Sequence, residues 1–266
     1  MLNTIEYINN LLSSSGATAK VRISRWALAS LMFGVISALF FVGTGYGYQW
    51  SWWELGTAFT WIMPLSTMLG LMGFSLGFFF GFLKWRNPQK RGVVVALIGF
   101  LLGLSVMGTA IYWLNEVQKY PPIHDISTDI EHPPTFEAIV PLRADAPNDT
   151  TYGDQEKADI QREHYPDIQP LYLDMGYDDA YARALAAAKR MPWEQVVTSD
   201  KSAGRIEAVD KLPWFGFKDD IVIRVDTAKT QNKTKIDIRS VSRIGKGDIG
   251  VNAQRIRNYL KSVTNQ

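Results

Sequence analysis

Residues 26–53 read WALASLMFGVISALFFVGTGYGYQWSWW, a run without a charged side chain. Two further uncharged runs follow, from Leu55 to Leu83 and from Gly92 to Asn115. Each can hold a helix of roughly 20 residues, the length that crosses a hydrocarbon core. The sequence therefore predicts three transmembrane helices, at about 26–48, 60–83 and 92–114. From residue 115 to 266 the composition is that of a soluble domain, rich in Asp, Lys and Arg. The mean hydropathy of −0.07 averages these two halves and describes neither.

Charge divides along the same line. Lys20, Arg22, Arg25, Lys84, Arg86, Lys90 and Arg91 outweigh Glu6 and Glu54 in the first 114 residues, which leaves the remainder with an excess of acid. The isoelectric point near 8.6 thus comes from residues that flank the apolar runs, and nucleic acid is not an expected partner. The basic residues cluster before the first run and between the second and third, while the first connecting loop has no Lys or Arg. By the positive-inside rule, residues 1–25 and the 84–91 loop are cytoplasmic. Residues 115–266 then lie on the other side, the periplasm for a protein of the bacterial inner (plasma) membrane. The first run reads as a retained helix, because no small-x-small cleavage site follows it and Tyr46, Tyr48, Trp50, Trp52 and Trp53 resemble an interfacial belt. Ile5, Ile8 and Leu12 share a helical face, and residues 2–12 are either an inner-surface helix or a frayed tail.

The spans hold no ionisable side chain near their centres, which argues against ion transport. Gly73, Gly77 and Gly81 recur at spacings of four, and Gly99 and Gly103 do so in the third run. Such grooves let helix backbones approach closely, either among the three helices themselves or across a homodimer interface.

No cysteine is present, so disulfides, thiolate metal sites and a cysteine nucleophile are excluded. Residues 120–172 are crowded with proline, which breaks long helices; one short strand fits Phe136–Val140. A helix is expected next, with Asp178 and Asp179 at its start and Lys189 and Arg190 at its end, as the helix dipole favours. Four strands follow at Glu194–Thr198, Arg205–Val209, Asp220–Val225 and Lys235–Val241, the last pair joined by a turn at Gln231-Asn232. A closing helix from about Asp248 to Val263 carries Ile249, Ala253, Ile256, Leu260 and Val263 as one apolar stripe. The expected fold is α+β: an antiparallel sheet of four to five strands with helices packed on one face, preceded by three transmembrane α-helices.

Strand alternation nominates a polar sheet face. Asp237, Arg239 and Arg243 alternate with Ile236 and Ile238, Arg224 alternates with Ile223 and Val225, and Glu207 with Ile206 and Ala208. This face is either an ion-pair network or a polar binding groove. The turn Ser242-Arg-Ile-Gly-Lys-Gly-Asp-Ile-Gly250 runs into the last helix and can present amides to an anion, unless Asp248 occupies them as a cap. The anion-binding candidates are Arg224, Arg239, Arg243, Lys246 and Asn252. Glu207, Asp237, Asp219 and Asp220 complete the polar network. His124, His132 and His164 lack metal-ligand spacing, so neither a metal nor a cofactor is expected. Catalysis has no motif, and a hydrolase would have to use Asp219, Asp220 or His124.

Four segments carry a family resemblance: Pro122-Ile-His-Asp-Ile-Ser-Thr-Asp129, Tyr165-Pro-Asp-Ile-Gln-Pro-Leu171, Phe215-Gly-Phe-Lys-Asp-Asp-Ile-Val-Ile-Arg224 and the block from Ile236 to Arg257. Over residues 119–264 the chain resembles the bacterial and plastid domain-of-unknown-function family numbered 1499, and the three-span anchor resembles a subset of it. The resemblance implies a domain boundary and no activity. The leading expectation is a non-enzymatic, membrane-anchored domain that binds a small anionic or lipid-like ligand. The alternative is a structural or assembly module that docks an envelope protein.

Overall fold

The computed structural model describes residues 22–153, 155–227 and 233–265. The expectations for residues 2–12 and for the Gln231-Asn232 turn lie outside these. The chain forms two compact units, one of residues up to Thr44 with Trp53–Ala110, the other of Gly45–Trp52 with Ile111 onward.

Among the described residues, three helices are long and apolar enough to cross a membrane: α1 (Arg25–Gln49), α2 (Leu55–Arg86) and α3 (Val93–Val117). Inside the first unit they meet through small residues. Ser30 Oγ donates to the carbonyls of Gly73 (2.8 Å) and Ala96 (3.2 Å), and Ser37 Oγ donates to that of Ser66 (2.7 Å). A methyl group on Gly73 would meet the Gly34 amide at 2.8 Å, and one on Gly77 would meet Phe100 Cβ at 2.7 Å. Gly73 and Gly77 therefore serve the contacts among the three helices, the first of the two roles their spacing allows, and are not open to a second copy. A methyl group on Gly81 would meet nothing within 4 Å beyond its own helix.

The second unit is α+β, as expected. Its sheet has six strands among the described residues: β1 (Asp125–Ser127), β2 (Leu171–Leu173), β3 (Gln195–Asp200), β4 (Arg205–Lys211), β5 (Lys218–Thr227) and β6 (Thr234–Ser242). All pairings are antiparallel in the order β1-β6-β5-β4-β3, with β2 pairing the other half of the β6 edge. The two strands beyond the expected four are three residues each, too short for alternation to reveal. The strand expected at Phe136–Val140 is instead irregular and ends in a 3-10 turn, Val140–Arg143. A polar helix, α4 (Gln155–His164), fits between Gly153 and Pro166. Its Gln161 acts as a surrogate strand: the side-chain amide accepts from Ser127 N (3.0 Å) and donates to Ser127 O (2.6 Å) on the outer side of β1. At the opposite edge, β3 carries a bulge between Val196 and Thr198.

Helices α5 (Tyr177–Arg190) and α6 (Val251–Thr264) cover one sheet face. Ala180, Ala184 and Ala187 bring α5 close, and Ala253, Ile256, Tyr259 and Val263 of α6 join Ile206, Ile221, Ile223, Ile236 and Ile238 in the main core. The other face is covered too. Phe136 and Ile139, from the segment between β1 and α4, pack on Val209, Val222 and Val241.

Replacing Gly73 with Leu should destabilise the full-length protein by about 2–3 kcal/mol in detergent unfolding, by overpacking of helix backbones. Gly81→Leu should leave the unfolding midpoint unchanged.

Candidate functional site

Alternation places Asp125, Glu207, Asp220, Arg224, Asp237, Arg239 and Arg243 on the sheet face opposite the helices, and register makes them neighbours: Glu207 stands beside Val222 and then Arg239, and Arg224 beside Asp237. The proline-rich segment lies over them, so charges that the sequence read as a surface are interior. Glu207, Asp220, Asp237 and Arg239 are essentially inaccessible to solvent.

Arg239 is at the centre. Its Nε and Nη2 donate to the two oxygens of Asp125 (2.9 and 2.6 Å), Nη1 donates to the Pro134 carbonyl (3.1 Å) and Nη2 to that of Thr150 (2.8 Å). The guanidinium also lies between the rings of Phe136 and Tyr152, at 5.2 and 5.3 Å from their centroids. Burial beside the Asp125 carboxylate pushes the Tyr152 hydroxyl well above the usual phenol range. Glu207 accepts from three successive amides, those of Glu137 (2.8 Å), Ala138 (3.2 Å) and Ile139 (2.8 Å), and so fixes the backbone entering the 3-10 turn. Arg224 donates to Asp237 Oδ2 through Nε (3.1 Å) and Nη2 (2.7 Å). Lys235 bridges Asp237 (3.2 Å) and Asp129 (2.6 Å). Burial opposes ionisation of Asp129, yet the Lys235 ammonium and the His132 amide hold its carboxyl below the usual range.

At the far end of the face, two guanidiniums share one carboxylate. Arg243 donates to Asp220 from Nε (3.0 Å) and Nη2 (2.8 Å), while Arg143 Nη1 stands 3.0 Å from Asp220 Oδ2. That Nη1 is buried, and although it is ion-paired by distance it is misaligned for a hydrogen bond to any acceptor. Burial lowers the Arg143 pKa, Asp220 offsets part of this, and Arg243 lowers it further. A groove of about 290 Å³ opens above the pair, lined by Tyr48, Leu142, Arg143, Asp145, Phe217, Lys218, Arg243 and Ile244 among others. A second, of about 210 Å³, is lined by His124, Asp125, Asn148, Tyr152 and Lys157 among others. Both fall below the span of drug-sized sites and fit a small group.

The remaining sequence candidates lie elsewhere. Asp219 turns to the helix face, where Arg255 Nη2 reaches both Asp219 (2.6 Å) and Asp210 (2.8 Å). Asn252 is also on that face: Oδ1 accepts from Ser240 Oγ (2.6 Å) and Nδ2 donates to Ser242 Oγ and the His124 carbonyl (both 2.9 Å). Asp219 and Asp220 thus point apart and form no acid/base pair. The amides where the glycine turn enters the helix are occupied, since Asp248 accepts from Gly250 N (2.9 Å) and Asn252 N (2.6 Å), and α6 begins only at Val251. Lys246 is exposed on this turn, away from Arg224 and Arg239 in the pairing scheme. Among the described residues no three His, Asp or Glu side chains gather as a metal site.

Sequence reasoning missed Arg143, Asp125 and Asp129. All three belong to irregular or very short segments, where no periodicity marks which side chains turn inward. Asp125 and Asp129 did stand within a segment singled out by resemblance.

The family described as Protein of unknown function (DUF1499) matches residues 125–263. The chain belongs to this family. No curated protein and no solved structure matches the chain. The DUF1499 region opens at Asp125, the carboxylate that holds Arg239, and includes every ion pair of the covered face.

Two outcomes follow for this face. Arg239→Ala should cost about 3–5 kcal/mol in chemical denaturation, because it leaves Asp125 buried and unpaired, whereas the double replacement Asp125→Leu with Arg239→Met should recover most of that loss. The lowered Asp129 pKa contributes stability that is present above the ordinary carboxylate pKa of about 3.9 and is lost as pH falls through the folded value. Asp129→Asn should therefore flatten the acid limb of a stability–pH profile below about pH 4.

Proposed function

We propose that this is a membrane-anchored, non-enzymatic protein whose second unit binds a small anionic or lipid-like ligand in the groove above Arg143 and Arg243. The observation that carries the reading is the sharing of one buried carboxylate, Asp220, by two guanidiniums, one of which keeps a buried N–H without a hydrogen-bond acceptor. An incoming oxyanion would balance the second cation, meeting the partly exposed Arg243 (16%) with Arg143 behind it. The lining is chemically mixed, with Leu142, Phe217 and Ile244 beside the cations, which suits an amphiphile better than a free metabolite. Asp145 is exposed on the rim, where water screens its charge. The reading puts the second unit outside the cytoplasm, in the periplasm of a bacterial inner-membrane protein. Support for that sidedness is the Lys and Arg content of the flanks and of the 84–91 loop.

A second reading, an assembly module docking an envelope protein, draws on a different observation. Arg239 is enclosed with Asp125, and Arg224 is paired with Asp237 and Asp129, so most of the charged face is a folding device and recognition falls to outer surfaces.

Melting of the full-length protein in detergent discriminates between them. Ligand binding predicts a rise of about 5–10 °C with inorganic phosphate or a short-chain phosphatidylglycerol at a hundredfold excess over Kd, which Arg243→Gln abolishes and Arg257→Gln does not. An unchanged midpoint across the whole panel would sink the ligand reading and leave the docking one.

A further inference from the structure

Resting on the ligand reading above, we infer that the groove is a headgroup site, taking the phosphate ester of an anionic phospholipid from the bilayer that the chain itself spans. The second unit includes Gly45–Trp52, the end of α1 and the aromatic stretch after it. Within this unit the rings form two ladders. Tyr46 stacks on Trp50 (5.7 Å), and Trp50 meets Trp52 edge-on (5.0 Å). Tyr48 meets Phe217 (5.7 Å) and Phe215 (6.2 Å), which stack on each other (5.0 Å), and Phe215 in turn meets Trp214 (4.9 Å).

Hydrogen bonds hold the β4–β5 turn to the same stretch. Gln49 Nε2 donates to the carbonyls of Pro213 (3.1 Å) and Trp214 (3.3 Å). Gly216 has a left-handed backbone (φ 68°), and a methyl group there would strike Gln49 at 2.8 Å, so both conformation and space call for glycine.

Aromatic side chains at the end of a spanning helix settle at the headgroup level, where an apolar body and a polar tip are both accommodated. Tyr48 belongs to that belt and also lines the groove, as does Phe217. The 3-10 turn beside them exposes Val140 (44%) and Leu142 (51%), an apolar tip next to Arg143, Lys218 and Arg243. Lys218 is partly exposed and has one surface partner, Glu194 at 3.2 Å, so it and the outer edge of Arg243 are the cations a phosphate meets first. A phospholipid fits this division. Its phosphate would meet Arg243 and Lys218, with Arg143 behind them, and the upper part of its acyl chains Leu142, Phe217 and Tyr48. A soluble phosphate ester satisfies the cations alone.

The absence of cysteine makes the test direct, since a single introduced thiol can carry a nitroxide in an otherwise label-free full-length chain. Labels at Leu142→Cys and, as control, at Tyr172→Cys are compared in phosphatidylcholine nanodiscs with and without phosphatidylglycerol. Tyr172 is exposed and sits beside Lys235, toward the opposite end of β6 from Arg243. The expected result is a Leu142 label that collides with oxygen several-fold more than with a water-soluble nickel chelate, while the Tyr172 label shows the reverse. Phosphatidylglycerol should also be retained in native mass spectrometry, less by Arg243→Gln and more by Asp145→Asn. If the Leu142 label is as open to nickel as the Tyr172 label while inorganic phosphate still raises the melting temperature, the lipid source is overturned and the anion reading stands. A shielded Leu142 with neither phosphatidylglycerol retention nor a phosphate effect overturns both.

Discussion

The second unit is organised around one buried cation. Arg239 is fixed by Asp125 on an adjoining strand, by two loop carbonyls and by two aromatic rings, partners drawn from three stretches of chain: Asp125, Pro134 with Phe136, and Thr150 with Tyr152. Desolvating a guanidinium is expensive, and only a full set of acceptors with good geometry offsets the cost. The consequence is specificity of path. The long proline-rich segment between β1 and α4 has little regular structure of its own, so its course over the sheet depends on Arg239, on the Glu207 carboxylate gathering three amides, and on Arg143 and Arg243 gathering around Asp220. The apolar contacts of Phe136 and Ile139 are too few to specify that course alone.

The two faces of the sheet thereby use different physics. On the helix side, aliphatic side chains of β4, β5 and β6 meet alanines of α5 and the stripe of α6, and the polar residues there, Asp219, Asn252 and Arg255, close among themselves at the start of α6. On the loop side, charge pairs do the joining. Where the pairing is complete, at Arg239, nothing remains for a ligand. Where it is uneven, at Asp220, the groove opens.

How far the chain could be read before its structure follows from what each signal encodes. Uninterrupted apolarity marked the three helices, and alternation marked β4, β5 and β6 and correctly set Glu207, Arg224, Asp237 and Arg239 on one face. Alternation also bears on Asp219 and Asp220, since adjacent residues of one strand must diverge, and grouping them ignored that rule. What alternation does not encode is the covering layer. Asp125 reaches Arg239 from 114 residues away in sequence, out of a three-residue strand, and Arg143 comes from an irregular turn. Neither helix nor strand periodicity points to them. The glycine turn was ambiguous for a different reason: an N-terminal aspartate and a bound anion satisfy the same amides, and only coordinates tell which does.

The side-chain amide of Gln161 has a meaning beyond its two hydrogen bonds. An uncovered strand edge is a template for any other chain, and a protein confined to a bilayer meets copies of itself at high local concentration. Gln161 occupies the outer backbone groups of Ser127 where a foreign strand would otherwise add, and the bulge in β3 spoils the register of the opposite edge. Crowding in two dimensions is thus met by one glutamine on an otherwise unremarkable polar helix, which keeps neighbouring sheets from zipping together.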